Sequence, residues 1–203
     1  RPAGKARDGV TTIDLDAVPA TWHLQGGASS INFTDAFAER GKTPTMPGPL
    51  VRVSAGATVH FSVRNRLPRP LTFYVPTSAT TVDSIVVAPG VTGEVTTRAI
   101  HAGNFFYRAT DGTAASDKLH IAGALAGAFV VDTAGATGRP RDRIMMMMMT
   151  PDSALSRAAE TANPITAPNG VFAFTINGRS WPNTERVFAT AGDTLRWRVI
   201  NAS

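Results

Sequence analysis

The side chains that could bind a metal ion or catalyse a reaction are few in this chain and lie far apart. The four histidines are His23, His60, His101 and His120. None lies two or four residues from another, although those spacings place ligands on one face of a strand or helix. Each is interpreted as a strand-face or surface residue. For His120, three residues from Asp117, a metal-binding pair is a second interpretation.

Five consecutive methionines, Met145 to Met149, form the most unusual run in the sequence. Thioether sulfur favours Cu(I), so a copper-donating segment is one interpretation. Adjacent residues of a strand point to opposite faces, however, so the five side chains do not converge easily on one ion. We therefore favour a buried strand that flexible methionine side chains fill, and one that oxidants can attack.

Composition excludes several other kinds of chemistry and of partner. The chain has 203 residues and no cysteine, which rules out disulfides, thiolate metal sites and cysteine catalysis within it. No phosphate-binding glycine loop or G-x-S-x-G motif occurs. The net charge of +5 comes from scattered arginines without interleaved aromatics, so no nucleic-acid partner is predicted and weak polyanion binding is only an alternative. No apolar run is long enough to span a membrane.

Strand periodicity predicts an all-β protein. The clearest alternation runs from Thr58 to Asn65, with Val59, Phe61 and Val63 on one face and polar residues on the other. About seven or more short apolar segments are separated by glycine- and proline-rich turns every 8–12 residues, which is typical of a β-sandwich.

An internal repeat defines the predicted domains. Val51 to Asn65 aligns with Val187 to Asn201 at a constant offset, although any two hairpins with an Ala-Gly turn would show part of this match. The predicted units are a polar arm (1–20), a complete β-domain (21–132), a linker with a strand and a short helix from Ser153 to Thr161 (133–170), and the opening strands of a second β-domain (171–203).

Several segments together resemble the first cupredoxin domain of the multicopper oxidases. They include the Pro-Gly-Pro strand at 47–53, the Asn-x-Leu segment at 65–67, the aromatic segment at 102–107 and the closing strand at 123–132. The segments at 176–179 and 192–201 are similar to the strand pair that leads into the family's next copper-binding motif. The resemblance implies a Greek-key, cupredoxin-like β-sandwich, followed by the opening strands of a second one.

The resemblance also shows where copper ligands belong. In that family the first domain supplies two His-x-His pairs to a three-copper cluster. The corresponding positions here are Tyr74 and Pro76 for the first pair and Arg108 and Thr110 for the second. None of these is histidine, so no copper site is expected in this chain alone.

Two functions are compatible with these features. The first is the N-terminal scaffold portion of a laccase-like, copper-dependent oxidoreductase, with copper held elsewhere in the parent protein. The resemblance implies an extracytoplasmic location, secreted or periplasmic, and as partner the remaining C-terminal cupredoxin region of the same protein; a second copy of the chain is the other partner considered. The second function is a non-catalytic cupredoxin module for binding or structure.

Overall fold

The computed structural model describes residues 1–25, 32–110, 125–136, 142–152, 161 and 172–202. The strands within these ranges are β1 (Lys5–Arg7), β2 (Val10–Trp22), β3 (Asn32–Glu39), β4 (Gly48–Ser54), β5 (Thr58–Asn65), β6 (Leu71–Pro76), β7 (Val82–Val87), β8 (Thr92–Arg98), β9 (Gly103–Thr110), β10 (Ala126–Asp132), β11 (Asp142–Pro151), β12 (Phe172–Ile176), β13 (Arg179–Ser180) and β14 (Arg196–Asn201). The all-β prediction is confirmed. None of the described residues belongs to a helix with the length and apolar character needed to cross a bilayer.

Two five-stranded sheets form the sandwich. The first sheet has the order β1-β2-β5-β8, with β3 also paired to β2, and the second has the order β4-β10-β9-β6-β7. The parallel pairs β2–β5 and β4–β10 require the chain to cross from one sheet to the other between them. This arrangement is consistent with the predicted Greek-key β-sandwich.

An aromatic cluster forms the centre of the core between the first and second sheets. Phe61 from the first sheet packs with its ring centroid 5.5 Å from Phe73, 5.8 Å from Tyr107 and 6.2 Å from Phe129, all from the second sheet. These rings meet in tilted or edge-on arrangements, which the ring quadrupole favours. The alternation seen in the sequence from Thr58 to Asn65 therefore points its apolar side into this core.

Strand β10 is buried on both of its faces. Phe129 and Val131 point into the aromatic core, whereas Ala126, Ala128 and Val130 point the other way. The latter pack against a third sheet of order β13-β12-β11-β14, to which Met146, Met148 and Ile200 contribute buried side chains. The small alanines allow the third sheet to lie close to the second.

The third sheet repeats the strand pairing of the first. Strand β11 pairs in parallel with β14 and antiparallel with β12, as β2 pairs with β5 and with β3. The turn glycines that precede β5 and β14, Gly56 and Gly192, both have positive φ angles, of 90° and 96°. The part of the sequence repeat that the structure repeats is this turn and the strand that follows it, since Val51 to Ser54 belongs to β4 whereas 187–190 forms no strand.

Hydrogen bonds join the end of β2 to the third sheet. The indole Nε1 of Trp22 donates to the carbonyl oxygen of Gly178 at 2.6 Å, and the amide of Ser180 donates to Leu24 at 2.9 Å. A Cβ on Gly178 would lie 2.2 Å from the carbonyl oxygen of Met46, so only glycine allows this approach.

The predicted arm at residues 1–20 is wrong. Val10–Trp22 forms β2, which pairs with β1, β3 and β5. Ile13 and Leu15 are fully buried in the core. Polar residues at the alternate, outward positions of β2 lower its mean hydropathy and conceal the strand in the sequence.

The predicted linker contains the expected strand, which is β11. Most of the predicted short helix from Ser153 to Thr161, and part of the linker before β11, lie outside the described residues.

Gly127 provides a test of this core. Its Cα lies against Tyr107, whose buried hydroxyl donates to Pro49 at 2.7 Å; a Cβ on Gly127 would lie 2.3 Å from the Tyr107 Cζ and Oη atoms. We expect Gly127→Ala to lower the free energy of unfolding by about 2 kcal/mol or more, since the ring has no room to move. Urea denaturation followed by tryptophan fluorescence measures this loss.

The Tyr107→Leu background is the control for this substitution. Leucine lacks the ring atoms that the new Cβ would meet, so Gly127→Ala should cost little there. An equal loss in both backgrounds would show that the ring contact is not the cause.

Candidate functional site

The four positions expected to hold copper ligands lie on one face of the second sheet. Strands β6 and β9 are antiparallel neighbours, and their register places Tyr74 opposite Arg108 and Thr72 opposite Thr110. Pro76 follows Tyr74 by two residues on the same face. The backbone therefore brings the two sequence-predicted pairs together.

A pocket of about 540 Å³ lies over three of these positions. Tyr74, Pro76 and Arg108 form one wall, with Phe105 and Phe106 beside them, and the segment 199–202 from β14 and the residue after it forms another. Thr110 is not part of the lining. The pocket is thus built where the second sheet of the sandwich meets the third sheet.

The side chains at these positions do not fit a copper cluster. The guanidinium of Arg108 lies over the ring of Tyr74, with Cζ 4.8 Å from the ring centroid, in a cation–π contact. Thr110 adds a buried hydroxyl without a hydrogen-bond partner among the described residues, and Pro76 has no donor atom in its side chain. Copper clusters of this kind need neutral imidazoles, whereas this set has no imidazole and places a cation in the pocket.

The histidines of the described residues lie apart from the pocket. His60 on the first sheet has its Nδ1 2.9 Å from the Thr96 hydroxyl and its Nε2 3.8 Å from Glu94. The carbonyl of His23 accepts a hydrogen bond from Arg179, and His101 is exposed. His120 and Asp117 lie outside the described ranges, within which no three His, Asp or Glu side chains form a metal-binding group.

The methionine run forms the middle of β11, as the buried-strand interpretation predicts. Met146 and Met148 are buried against the second sheet, whereas the side chain of Met147 points to the opposite face and is 42% exposed. The alternation therefore separates the thioethers onto two faces of one sheet. Asn177 holds this strand in place by accepting a hydrogen bond from the amide of Met146 at 2.9 Å.

Comparison with solved structures identifies the fold. A blue copper oxidase from Nitrosomonas europaea matches with a TM-score of 0.67 and 24% identity over 94% of this chain and 60% of its own. A multi-copper oxidase from Pseudomonas thermotolerans matches with a TM-score of 0.66 and 19% identity over 95% of this chain and 46% of its own.

A copper nitrite reductase from Nitrosomonas europaea matches with a TM-score of 0.66 and 20% identity over 95% of this chain and 67% of its own. This chain has the cupredoxin fold of the multicopper oxidases. It spans less than two thirds of the length of the two oxidases described above. No model of a known family and no curated protein matches the sequence.

Four charged side chains join the cupredoxin sandwich to the third sheet. Arg52 on β4 contacts Asp132 on β10 at 2.6 Å and Asp142 on β11 at 2.9 Å. Arg198 on β14 contacts the same two carboxylates at 2.8 and 2.9 Å. Each arginine therefore bridges both aspartates, and the Asp142 side chain is only 1% exposed. We call these four residues the arginine–aspartate ring.

This ring was not predicted from the sequence. Its signal is a charge within an otherwise apolar strand: Arg52 lies between Val51 and Val53, and Asp132 follows Val130 and Val131. Such a charge usually has a partner when the strand is buried. Sequence alone does not indicate which of the other charges that partner is.

The arginines lower the pKa of both carboxyl groups in the ring. For Asp132, the hydrogen bond from Arg52 is the main cause of the lowered pKa. For Asp142, desolvation by burial raises the pKa, but the hydrogen bonds and charges of Arg198 and Arg52 together outweigh it, so that the pKa is lowered. Both groups therefore favour the folded state when they are ionised.

We expect Asp142→Asn to lower the free energy of unfolding at neutral pH by about 3 kcal/mol, because it leaves two largely buried arginines with one carboxylate. Asp14→Asn is the matched control, since Asp14 pairs with Arg40 at the exposed surface and should contribute less than about 1 kcal/mol. Chemical denaturation of both variants measures the difference. Equal losses of stability in the two variants would show that the ring contributes no more than an exposed ion pair.

Acid should weaken the ring. Because both aspartates have pKa values below those of the unfolded chain, unfolding takes up protons as the pH falls, and their contribution is lost progressively below about pH 4 to 5. The unmodified chain should therefore lose more stability than Asp142→Asn over that range. Denaturation at a series of pH values tests this, and parallel pH profiles would contradict it.

Proposed function

We propose that this chain is the N-terminal portion of a multicopper-oxidase-type, copper-dependent oxidoreductase, in which it serves as scaffold and holds no copper site of its own. The observation that carries the scaffold role is the pocket between the second and third sheets. Tyr74, Pro76 and Arg108 line it where the family resemblance calls for imidazoles. The cupredoxin fold and the copper enzymes that share it support the link to copper in the parent protein.

The outer face of the third sheet is apolar and exposed, which supports the proposal that another cupredoxin sheet packs on it. In the first sheet, Phe61 and Val63 are fully buried beneath the second sheet. Their counterparts in the repeat, Trp197 and Val199, are 46% and 52% exposed, and Phe174 on β12 is 73% exposed. An apolar sheet face of this kind is typical of an interface.

The repeat indicates what covers this face. Where β2, β3 and β5 present apolar side chains, a mixed second sheet packs on them. On the third sheet, we assign the covering of this apolar face to strands from the remaining C-terminal cupredoxin region of the parent protein. An extracytoplasmic location is part of the proposal, because multicopper oxidases are often extracytoplasmic.

We expect the purified chain, incubated with excess Cu(II) and desalted, to retain well below one copper ion per chain. The variant Tyr74→His/Pro76→His/Arg108→His/Thr110→His should retain more, because the register of β6 and β9 places all four imidazoles on one face. Metal analysis and the copper electron paramagnetic resonance signal measure this.

Tyr74→His/Pro76→His, which restores one pair only, is the control and should bind copper more weakly than the fourfold variant. Thermal melting confirms that each variant folds. Stoichiometric copper in the unmodified chain would refute a copper-free scaffold. Absence of histidine pairs and a His-Cys-His segment from the rest of the parent protein would favour a non-catalytic module instead.

We expect Phe174→Ser/Trp197→Ser to reduce the binding of a hydrophobic dye such as anilinonaphthalene sulfonate without a large loss of stability, because both side chains are substantially exposed. Val86→Ser/Ile100→Ser is the matched control, since it removes two exposed apolar residues elsewhere, and it should keep most of the dye signal. Dye fluorescence and thermal melting of the three proteins test this.

Light scattering identifies the occupant of the face. A stable dimer of the chain that Phe174→Ser/Trp197→Ser abolishes would assign the face to a second copy and contradict the assignment made above. A monomer that binds the separately expressed C-terminal region through these residues would support it.

A further inference from the structure

The pocket between the second and third sheets has the size, the polarity and the charge of a ligand site. We infer that it binds a small organic carboxylate with an aromatic or apolar body, and that Arg108 binds the carboxylate. This inference goes beyond the proposed scaffold role and does not depend on copper anywhere in the protein.

The volume and lining of the pocket suit a small organic molecule. About 540 Å³ lies within the range of small-molecule sites, which are mostly apolar with a few polar groups at defined positions. Phe106 and Pro76 supply apolar surface from the sandwich, and Ile200 supplies it from β14. Such walls favour an aromatic or aliphatic body over a bare inorganic ion.

Arg108 is positioned to recognise a carboxylate. Its guanidinium Cζ lies 4.8 Å from the centroid of the Tyr74 ring, so the cation sits beside an aromatic face in the wall of the pocket. A guanidinium has five N–H donors, and a carboxylate accepts two of them in parallel. Stacking on Tyr74 also orders the side chain before the ligand binds, which reduces the entropy lost on binding.

The other described groups that line the pocket agree with an anionic ligand. None of the described lining residues is acidic. Asn104 lies in the wall, and its amide oxygen accepts a hydrogen bond from Arg198 at 3.0 Å, which leaves its NH₂ group as a donor. Ser78 adds a hydroxyl on the side of β6. The described part of the lining therefore combines the Arg108 cation and neutral donors with apolar walls.

Isothermal titration calorimetry of the full chain with benzoate tests the inference. We expect one saturable site with a Kd of about 1 mM or below, and Arg108→Gln to weaken binding by about tenfold or more, the loss typical of a charge-assisted pair. Arg64→Gln is the matched control, since Arg64 is exposed on β5 and outside the pocket; it removes the same charge and should leave the Kd within about twofold.

Two further ligands separate charge from shape. Benzamide keeps the ring and loses the charge, and inorganic phosphate keeps a charge and loses the ring; both should bind much more weakly than benzoate. Equal binding of benzamide and benzoate, equal weakening by both arginine substitutions, phosphate binding tighter than benzoate, or no saturable binding of benzoate would each overturn the inference.

The benzoate experiment and the copper experiment test different proposals, and either can fail without the other. Copper retention by the unmodified chain would refute the scaffold proposal and leave the benzoate result to be judged separately. Thermal melting of Arg108→Gln shows whether that variant folds. If it does not, Tyr74→Leu, which removes the stack and keeps the cation, should still weaken benzoate binding, and unchanged affinity there would count against the site.

Discussion

Strand β10 has no face in contact with water, and this double burial determines how the three sheets assemble. Its side chains alternate between the aromatic core of the sandwich and the layer packed against β11 and β14. A strand buried on both faces must be apolar throughout, as Ala126 to Val131 is. The carboxylate of Asp132 at its end, largely buried, is compatible with this environment because Arg52 and Arg198 both contact it. The arginine–aspartate ring thus pairs the charges of β4, β10, β11 and β14 at the edge of the buried layer.

The pocket is a consequence of the same arrangement. The third sheet packs on β10 and approaches β9, so β14 forms a wall opposite the outer face of β6 and β9. In this fold, chemistry at that place depends on which side chains β6 and β9 present. Here they present a phenol, a pyrrolidine ring and a guanidinium, which favour binding an anion over holding a cationic metal. Strand pairing depends on the backbone and on the core side of each strand, so one architecture is compatible with different side chains at this place.

Most of the sandwich could be predicted because its strands alternate clearly between apolar and polar residues. Thr58 to Asn65 was interpreted correctly for this reason. β2 was missed because threonine and aspartate occupy its outward positions, although Ile13 and Leu15 are fully buried. The arginine–aspartate ring could not be predicted, because Arg52 and Arg198 are far apart in the sequence and meet only when β4 and β14 lie beside β10 and β11.

The sequence by itself determined the class of fold and the repeat, because periodicity is a local property. It also determined that the four positions expected to hold histidine are occupied by other residues, namely Tyr74, Pro76, Arg108 and Thr110. Only the tertiary structure decided that Tyr74 and Arg108 stack, that β14 encloses them in a pocket, and that Trp197 and Val199 face outward while Phe61 and Val63 are covered. These features depend on contacts between residues distant in the chain. Such contacts follow from how the sheets pack, which no local pattern encodes.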